Sequence, residues 1–458
     1  MATTMSGIAP LGWISIIRMG LVQASLGAVV VLTTSVLNRV MVVELALPAM
    51  LPGALVALHY VVQLMRPRIG HSSDAGGRRT PWIVGGMATL ALGGFLAACG
   101  TVLMGTSFLL GVMLAVLAYV LIGLGVGAAG TSLLVLLAKR VEPSRRAAAA
   151  TIVWMMMIFG FAVTAGVAGK LLDPFSSTRL LMASAAVSLL AFAFATIAIR
   201  GIEGRHATAD QPATTKRSHA SFRAAFAEVW SEPDARRFTI FVFVSMLAYS
   251  AQDLILEPFA GAVHQFTPGE STKLSGLQHG GVLAGMILVA IAGSLFKERA
   301  LGSLRLWTIG GCVASALAMA ALAFSASGSL PFSLGIAVFA LGVANGAFSI
   351  AAIGSMMRLS SGGFDAKGTG REGMRMGLWG AAQAIAFGLG GFLGTAASDL
   401  ARYVSGSAAV GYGAVFTAEA LLFLIAAVIA ATVSNSNRRS WASVNVSAVG
   451  AHQVAHLQ

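Results

Sequence analysis

The chain has 458 residues, of which 57% are hydrophobic and only 10% charged, with a formal net charge of +13 at pH 7. A soluble domain carries about 25% charged residues, so too little polar material is present to cover a water-facing surface, and a water-soluble enzyme is excluded. The basic balance invites a nucleic-acid reading, but the charges stand in short clusters between apolar runs, which argues against nucleic acid as a partner.

Crossing about 30 Å of hydrocarbon takes roughly 20 apolar residues. Runs of that length predict spans near 17–37, 47–66, 82–104, 108–138, 148–171 and 179–200. After a polar interval come 237–257, 276–296, 306–327, 331–357, 376–398 and 408–433. The first run, which begins around Arg18, reads as a helix and not as a removable signal peptide. The expected architecture is an all-α membrane protein of about twelve transmembrane helices in two six-helix bundles, 1–200 and 237–433. The interval 201–236 is a cytoplasmic linker whose first part, Glu203 to His219, is polar and expected to be mobile. In its second part Phe222, Ala225, Phe226, Val229 and Trp230 repeat at helical spacing behind Ser221, with Arg223 nearby. This short helix either lies in the headgroup region or packs on the bundle ends. The polar tail 434–458 is expected to be disordered.

Orientation follows from the loop cations. Of the 30 Lys and Arg residues, all but Arg39, Lys170, Arg179, Lys273 and Arg402 fall on the side that holds the N-terminus. Shifting the helix count by one would destroy this bias. It predicts both termini in the cytoplasm of a bacterial inner membrane. The two cysteines, Cys99 and Cys312, sit inside apolar runs and give no disulfide or metal spacing.

The loop after the second span reads Gly70-His71-Ser72-Ser73-Asp74-Ala75-Gly76-Gly77-Arg78-Arg79. Glycines permit a tight turn, Asp74 suits a facing helix N-terminus, and the arginines pair with carboxylates or headgroup phosphates. The pattern resembles the signature of the major facilitator superfamily. The resemblance assigns Gly70, Asp74, Gly77, Arg78 and Arg79 a conformational role and implies two bundles around a cleft, related by a pseudo-twofold axis along the membrane normal.

Other stretches are more particular: Leu37-Asn38-Arg39-Val40-Met41-Val42-Val43-Glu44-Leu45, then Gln252-Asp253-Leu254-Ile255-Leu256-Glu257-Pro258, then Gly342-Val343-Ala344-Asn345-Gly346-Ala347-Phe348. The eleventh span opens with Arg375-Met376-Gly377-Leu378-Trp379-Gly380-Ala381-Ala382-Gln383. Together they closely resemble the PucC/LhaA-type bacteriochlorophyll delivery family, a branch of that superfamily, from about residue 15 to about 433. The resemblance implies a light-harvesting complex assembly factor of the intracytoplasmic photosynthetic membrane, with bacteriochlorophyll as a transient ligand. It also implies antenna polypeptides of the core or peripheral complex as partners, pigment-synthesis enzymes as further contacts, and membrane lipids around the bundle.

The same residues read from chemistry alone are compatible with this. Ionisable groups inside spans are costly and often functional. Asp253 and Glu257 are one helical turn apart, where they either titrate, as in a proton-coupled transporter of a small amphiphile, or pair with Arg39 and cap neighbouring helices. His59 lies mid-span, where a neutral ring could ligate a pigment magnesium or simply bond within the bundle. Candidates for pigment or client handling are therefore Asn38, Arg39, Glu44, His59, Gln252, Asp253, Glu257, Asn345, Arg375, Trp379 and Gln383. No Walker-type loop, nucleophile elbow or metal cluster is present, so no enzyme, catalytic residue or metal site is expected. The run Gly123-Leu124-Gly125-Val126-Gly127 lies inside a span and reads as close helix packing.

Overall fold

A computed structural model describes residues 11–65, 78–142, 145–203, 230–296, 300–328, 333–361 and 372–454. Among these residues the regular structure is entirely helical. The first half comprises α1 (Trp13–Val31, continued in π-helical form through Leu32–Leu37 and Val40–Glu44), α2 (Met50–Gln63), α3 (Thr80–Met104), α4 (Phe108–Arg140), α5 (Arg146–Leu171) and α6 (Ser177–Ile199). The second comprises α7 (Pro233–His264), α8 (Pro268–Leu295), α9 (Leu304–Ser325), α10 (Leu334–Ser361), α11 (Glu372–Ser405) and α12 (Ala408–Val454). Eleven of the twelve are long and apolar enough to cross a membrane. The exception, α2, has 14 residues, about 21 Å of helix at 1.5 Å per residue.

Each expected span is present as a helix, though the second, expected over 47–66, is the short Met50–Gln63 and the eleventh runs past 398 to Ser405, and four further boundaries differ. The first helix does not stop at 37 but runs to Glu44 through wide π turns. The seventh does not end at Pro258; the proline lies inside the helix, which continues to His264. The eighth starts at Pro268 and not near 276, because Thr267 and Glu270 close a reciprocal capping box around Pro268. The segment from Ser434, expected to be disordered, continues α12 as helix to Val454. Once the apolar span has nucleated a helix, each further turn costs little, and neither Gly nor Pro interrupts 434–449.

Each half has its own apolar core, one spanning α1 to α6 and one spanning α7 to α12. The halves meet where α5 packs on α8 and α2 packs on α11, and a third cluster joins Ile158 of α5 to Val282, Met286 and Val289 of α8. Gly123 fits the packing reading: a Cβ there would collide with the carbonyl oxygen of His59 on α2. The same holds between α8 and α10, where a Cβ on Gly346 would strike the carbonyl of Val282. Large apolar side chains on the outside, such as Leu109, Leu189 and Phe194, are more than half exposed. Lipid is the solvent that makes this arrangement stable. The loops joining α1–α2, α5–α6, α7–α8 and α11–α12 share one end of the bundle, called here the Arg39 end. The residues before α3 and after α6 mark the opposite, Arg79 end.

Candidate functional site

Two of the family-like sequence runs, Leu37–Leu45 and Gln252–Pro258, meet where α1 crosses α7. Proline at 258 has no N–H to give, so the carbonyl of Leu254, four residues earlier, loses its helical partner. Asn38 supplies one from the other half of the molecule: its Nδ2 donates to Leu254 O at 2.5 Å, fully buried. A carbonyl orphaned in a lipid-embedded helix is destabilising unless another group reaches it, because no bulk water can. Beside it, the Ser35 hydroxyl donates to the Glu257 carboxylate, and Thr272 of α8 approaches the second oxygen at 3.4 Å. The π turns, which widen the helix locally, carry Ser35 and Glu44, and the pair Asn38–Arg39 lies between them.

Arg39 completes the crossing. Its side chain is 3% exposed and pairs with Glu44 at 2.5 Å. Its Nε donates to Ser271 Oγ at 3.1 Å and its Nη2 to the carbonyl of Phe266 at 2.7 Å. Glu257 is thus held by hydroxyls, while the guanidinium goes to Glu44 and to the α7–α8 turn. Asp173, in the α5–α6 loop, makes a second link to the same turn. It accepts from Thr267 Oγ1 at 2.9 Å, from the N–H of Gly269 at 3.1 Å and from Lys273 Nζ at 3.0 Å. Partial burial works against its charge, but these donors and the Lys273 ammonium outweigh it and hold the carboxyl below the usual carboxylate range.

Deeper between the halves, Asp253 and Tyr60 face a cavity of about 20 Å³ lined also by Thr34, Ser250, Phe387 and Gly391. That is room for one water-sized guest. Gln278 of α8 reaches Asp253 at 3.5 Å, so Asp253 and Glu257 do both face α8, as their spacing predicts. His59 is buried away from this crossing, with Nδ1 2.9 Å from the carbonyl of Val56 and its ring beside Tyr60.

The remaining candidates belong to the interior of the second half. Asn345 accepts from Ser315 at 2.8 Å, Trp379 packs edge-on against Phe238, and Gln383 points at the Met246 sulfur. Gln252 is fully buried on α7. The Arg375 side chain, the loop residues Gly70, Asp74 and Gly77, and the linker helix 222–229 lie outside the described residues.

At the Arg79 end, the described part of the loop motif has a partner the sequence reading missed. Glu203 is not part of a mobile linker: it is buried and accepts from the N–H groups of Arg79 and Thr80 at 2.6 and 2.9 Å and from Thr80 Oγ1 at 2.6 Å. Arg140 donates to its backbone carbonyl at 2.8 Å. Burial opposes the charge, but the Thr80 and Arg79 donors, aided by the nearby Arg78 cation, hold the carboxyl below its usual range. Glu203 thereby caps α3, whose first N–H groups have no helical acceptor. A lone acid after a span offered no pattern that would have found it. Glu419, also missed, is a single acid within the apolar stripe of α12.

Comparison with known proteins fits this geometry. The family model described as PUCC protein matches residues 36–438. The bacteriochlorophyll synthase 44.5 kDa chain of Rhodobacter capsulatus is 55% identical over 92% of this chain and 96% of its own length. Protein PucC of the same organism is 29% identical, over 90% of each chain. Among solved structures, the nucleoside transporter NupG superposes with a TM-score of 0.65 at 13% identity, over 92% of this chain and 99% of that one. That likeness is one of fold. With the family match running from the α1 crossing through α12's apolar stretch, the chain belongs to the PUCC protein family.

Proposed function

We propose that the chain is a non-enzymatic assembly factor of the photosynthetic membrane, which handles bacteriochlorophyll and contacts antenna polypeptides. The observation that carries this reading is the match to the PUCC family across both halves, together with the 55% identity to a chain named for bacteriochlorophyll. In this reading both termini face the cytoplasm. Asn38, Arg39, Glu44 and Glu257 hold the Arg39 end closed, so a client enters between helices or from the Arg79 end. The cavity at Asp253 admits no macrocycle in this conformation, so pigment handling requires the halves to separate or uses a lipid-facing surface. A protein bound for pigment synthesis itself would need to convert a precursor; purified chain that did so would overturn the non-enzymatic reading.

The test is recovery of the tagged full chain from phototrophically grown cells in mild detergent, with an absorption spectrum and mass spectrometry of the eluate. Near-infrared bacteriochlorophyll absorption together with antenna polypeptides is the expected result. A colourless eluate without antenna partners, alongside normal antenna absorption in a deletion strain, would sink the proposal. A second reading, a transporter of a small amphiphile, is favoured by one observation: Asp253 lines the cavity between halves on a transporter fold. Flux that stops in Asp253→Asn would then replace the antenna phenotype.

A further inference from the structure

We propose that the centre of the second half is a proton-binding site, with the proton on Glu419 inside a cage formed by Gln252, Ser315 and Asn345. The four residues come from four helices, α12, α7, α9 and α10, at one level. Phe259 against Phe416 pins α7 to α12 on the side of the Arg39 end, one turn from Glu419 and two from Gln252, with ring centroids 5.0 Å apart, and Tyr249 meets Phe348 at 6.3 Å on the other side of Gln252. Phe348 against Phe423, at 5.7 Å, pins α10 to α12 one turn the other way. The 2.8 Å bond from Ser315 to Asn345 places α9 alongside. Glu419 is 2% exposed, and Gln252, Ser315 and Asn345 are fully buried.

What marks this as a site is unspent hydrogen-bonding capacity. Among the described residues, neither oxygen of Glu419 nor the Asn345 amide nitrogen has a hydrogen-bond partner, and the Gln252 amide, next to the Asp253 carboxylate, makes no well-aligned hydrogen bond. Buried polar atoms in folded proteins are almost always paired, and in a lipid-embedded bundle the penalty for leaving them unpaired is not relieved by bulk water. An ionised carboxylate here would also need a counter-cation. Among the described residues, the elements packed around it bring none to its level: the ionisable groups of α7 nearest this level are Asp253, Glu257 and Tyr249, α9 has the Cys312 thiol, and α10 has neutral amide and hydroxyl groups. Toward the Arg39 end, Arg402 of α11 is paired with Asp399 near Tyr412.

A proton satisfies this chemistry better than a metal ion. A neutral carboxylic acid donates its O–H to the Gln252 carbonyl and accepts from the amide N–H groups of Gln252 and Asn345, directly or through a water. A metal would use only the oxygens and leave those N–H groups unpaired. Access runs through the neighbouring residue on α7: Asp253 faces the cavity between the halves. A proton taken up there by the Asp253 carboxylate passes to Glu419, and Asp253 returns to its anionic form with no other bond changed.

Infrared difference spectroscopy of the full chain in lipid nanodiscs at neutral pH tests this. The expected result is a protonated-carboxyl C=O band that is lost in Glu419→Gln and shifted in frequency in Gln252→Leu, with slower deuterium exchange in Asp253→Asn. Persistence of the band in Glu419→Gln would overturn the site, as would its removal by sodium or potassium at constant pH. If Glu419→Gln fails to fold, an unshifted band in Gln252→Leu does the same, and unchanged exchange in Asp253→Asn overturns the route.

Discussion

Asp173 and Glu203 do the same job at opposite ends of the molecule, with opposite consequences. Each is a loop carboxylate accepting from the start of a helix it does not belong to, Glu203 from two backbone N–H groups and Asp173 from one, and each is held below the usual carboxylate range by its donors. Glu203 caps α3 within its own half, so its bonds hold one bundle together. Asp173 caps α8 across the divide, so its bonds exist only while the halves are closed at the Arg39 end. A cap made within a body adds to its stability. The same cap made between two bodies sets the balance between their arrangements.

Breaking the caps should separate these roles. The largest effect is expected for Glu203→Ala, which strands two backbone donors and a hydroxyl. The cost is about 2–3 kcal/mol, read as lower thermal stability in detergent, and an unchanged melting curve would remove Glu203 from the fold's support. Next is Asn38→Ala, about 1–2 kcal/mol from the orphaned Leu254 carbonyl. The sharper form is a double-mutant cycle: Pro258→Ala restores the missing N–H, so the cost of Asn38→Ala should shrink in that background. Additive costs would mean that Asn38 serves something other than Leu254.

Asp173→Asn should cost less stability, about 1 kcal/mol or below, because the Lys273 pair is partly exposed and screened. Its signature is instead increased cysteine labelling of the interface between the halves, which Glu203→Ala should not produce. Acid provides a related check. Both folded-state values are depressed, so both caps contribute fully above the ordinary carboxylate range, about pH 4, and are lost only as pH falls through it. Stability between pH 8 and 5 should therefore be unmoved by either cap, and Glu203→Gln should flatten the acid limb. The smallest effect is expected for Gln265→Gly. Gln265 ends α7 with a left-handed φ of 59°, and glycine relieves that strain at the expense of a looser unfolded chain, for a net change within about 1 kcal/mol.

The loop motif and the four family-like runs were readable as strings, but their meanings were not equally so. Asn38 and Pro258 were each conspicuous, yet nothing along the chain says that one repairs what the other breaks. Thr267-Pro268-Gly269-Glu270 is a complete helix-start signal that hydropathy windows overrode, because its residues are polar and the apolar run begins later. Arg39 and Glu257 looked like partners on charge alone, and the fold paired Arg39 with Glu44 and Glu257 with Ser35.

The number of helices and the family were determined by the sequence itself. The cost of burying polar backbone in lipid is paid residue by residue, so spans declare themselves locally. Only the tertiary structure decided which carboxylate caps which helix, and why Glu419 stands in an apolar stripe. Those facts depend on residues far apart in the chain reaching the same level of the bundle, and hydropathy carries no information about level.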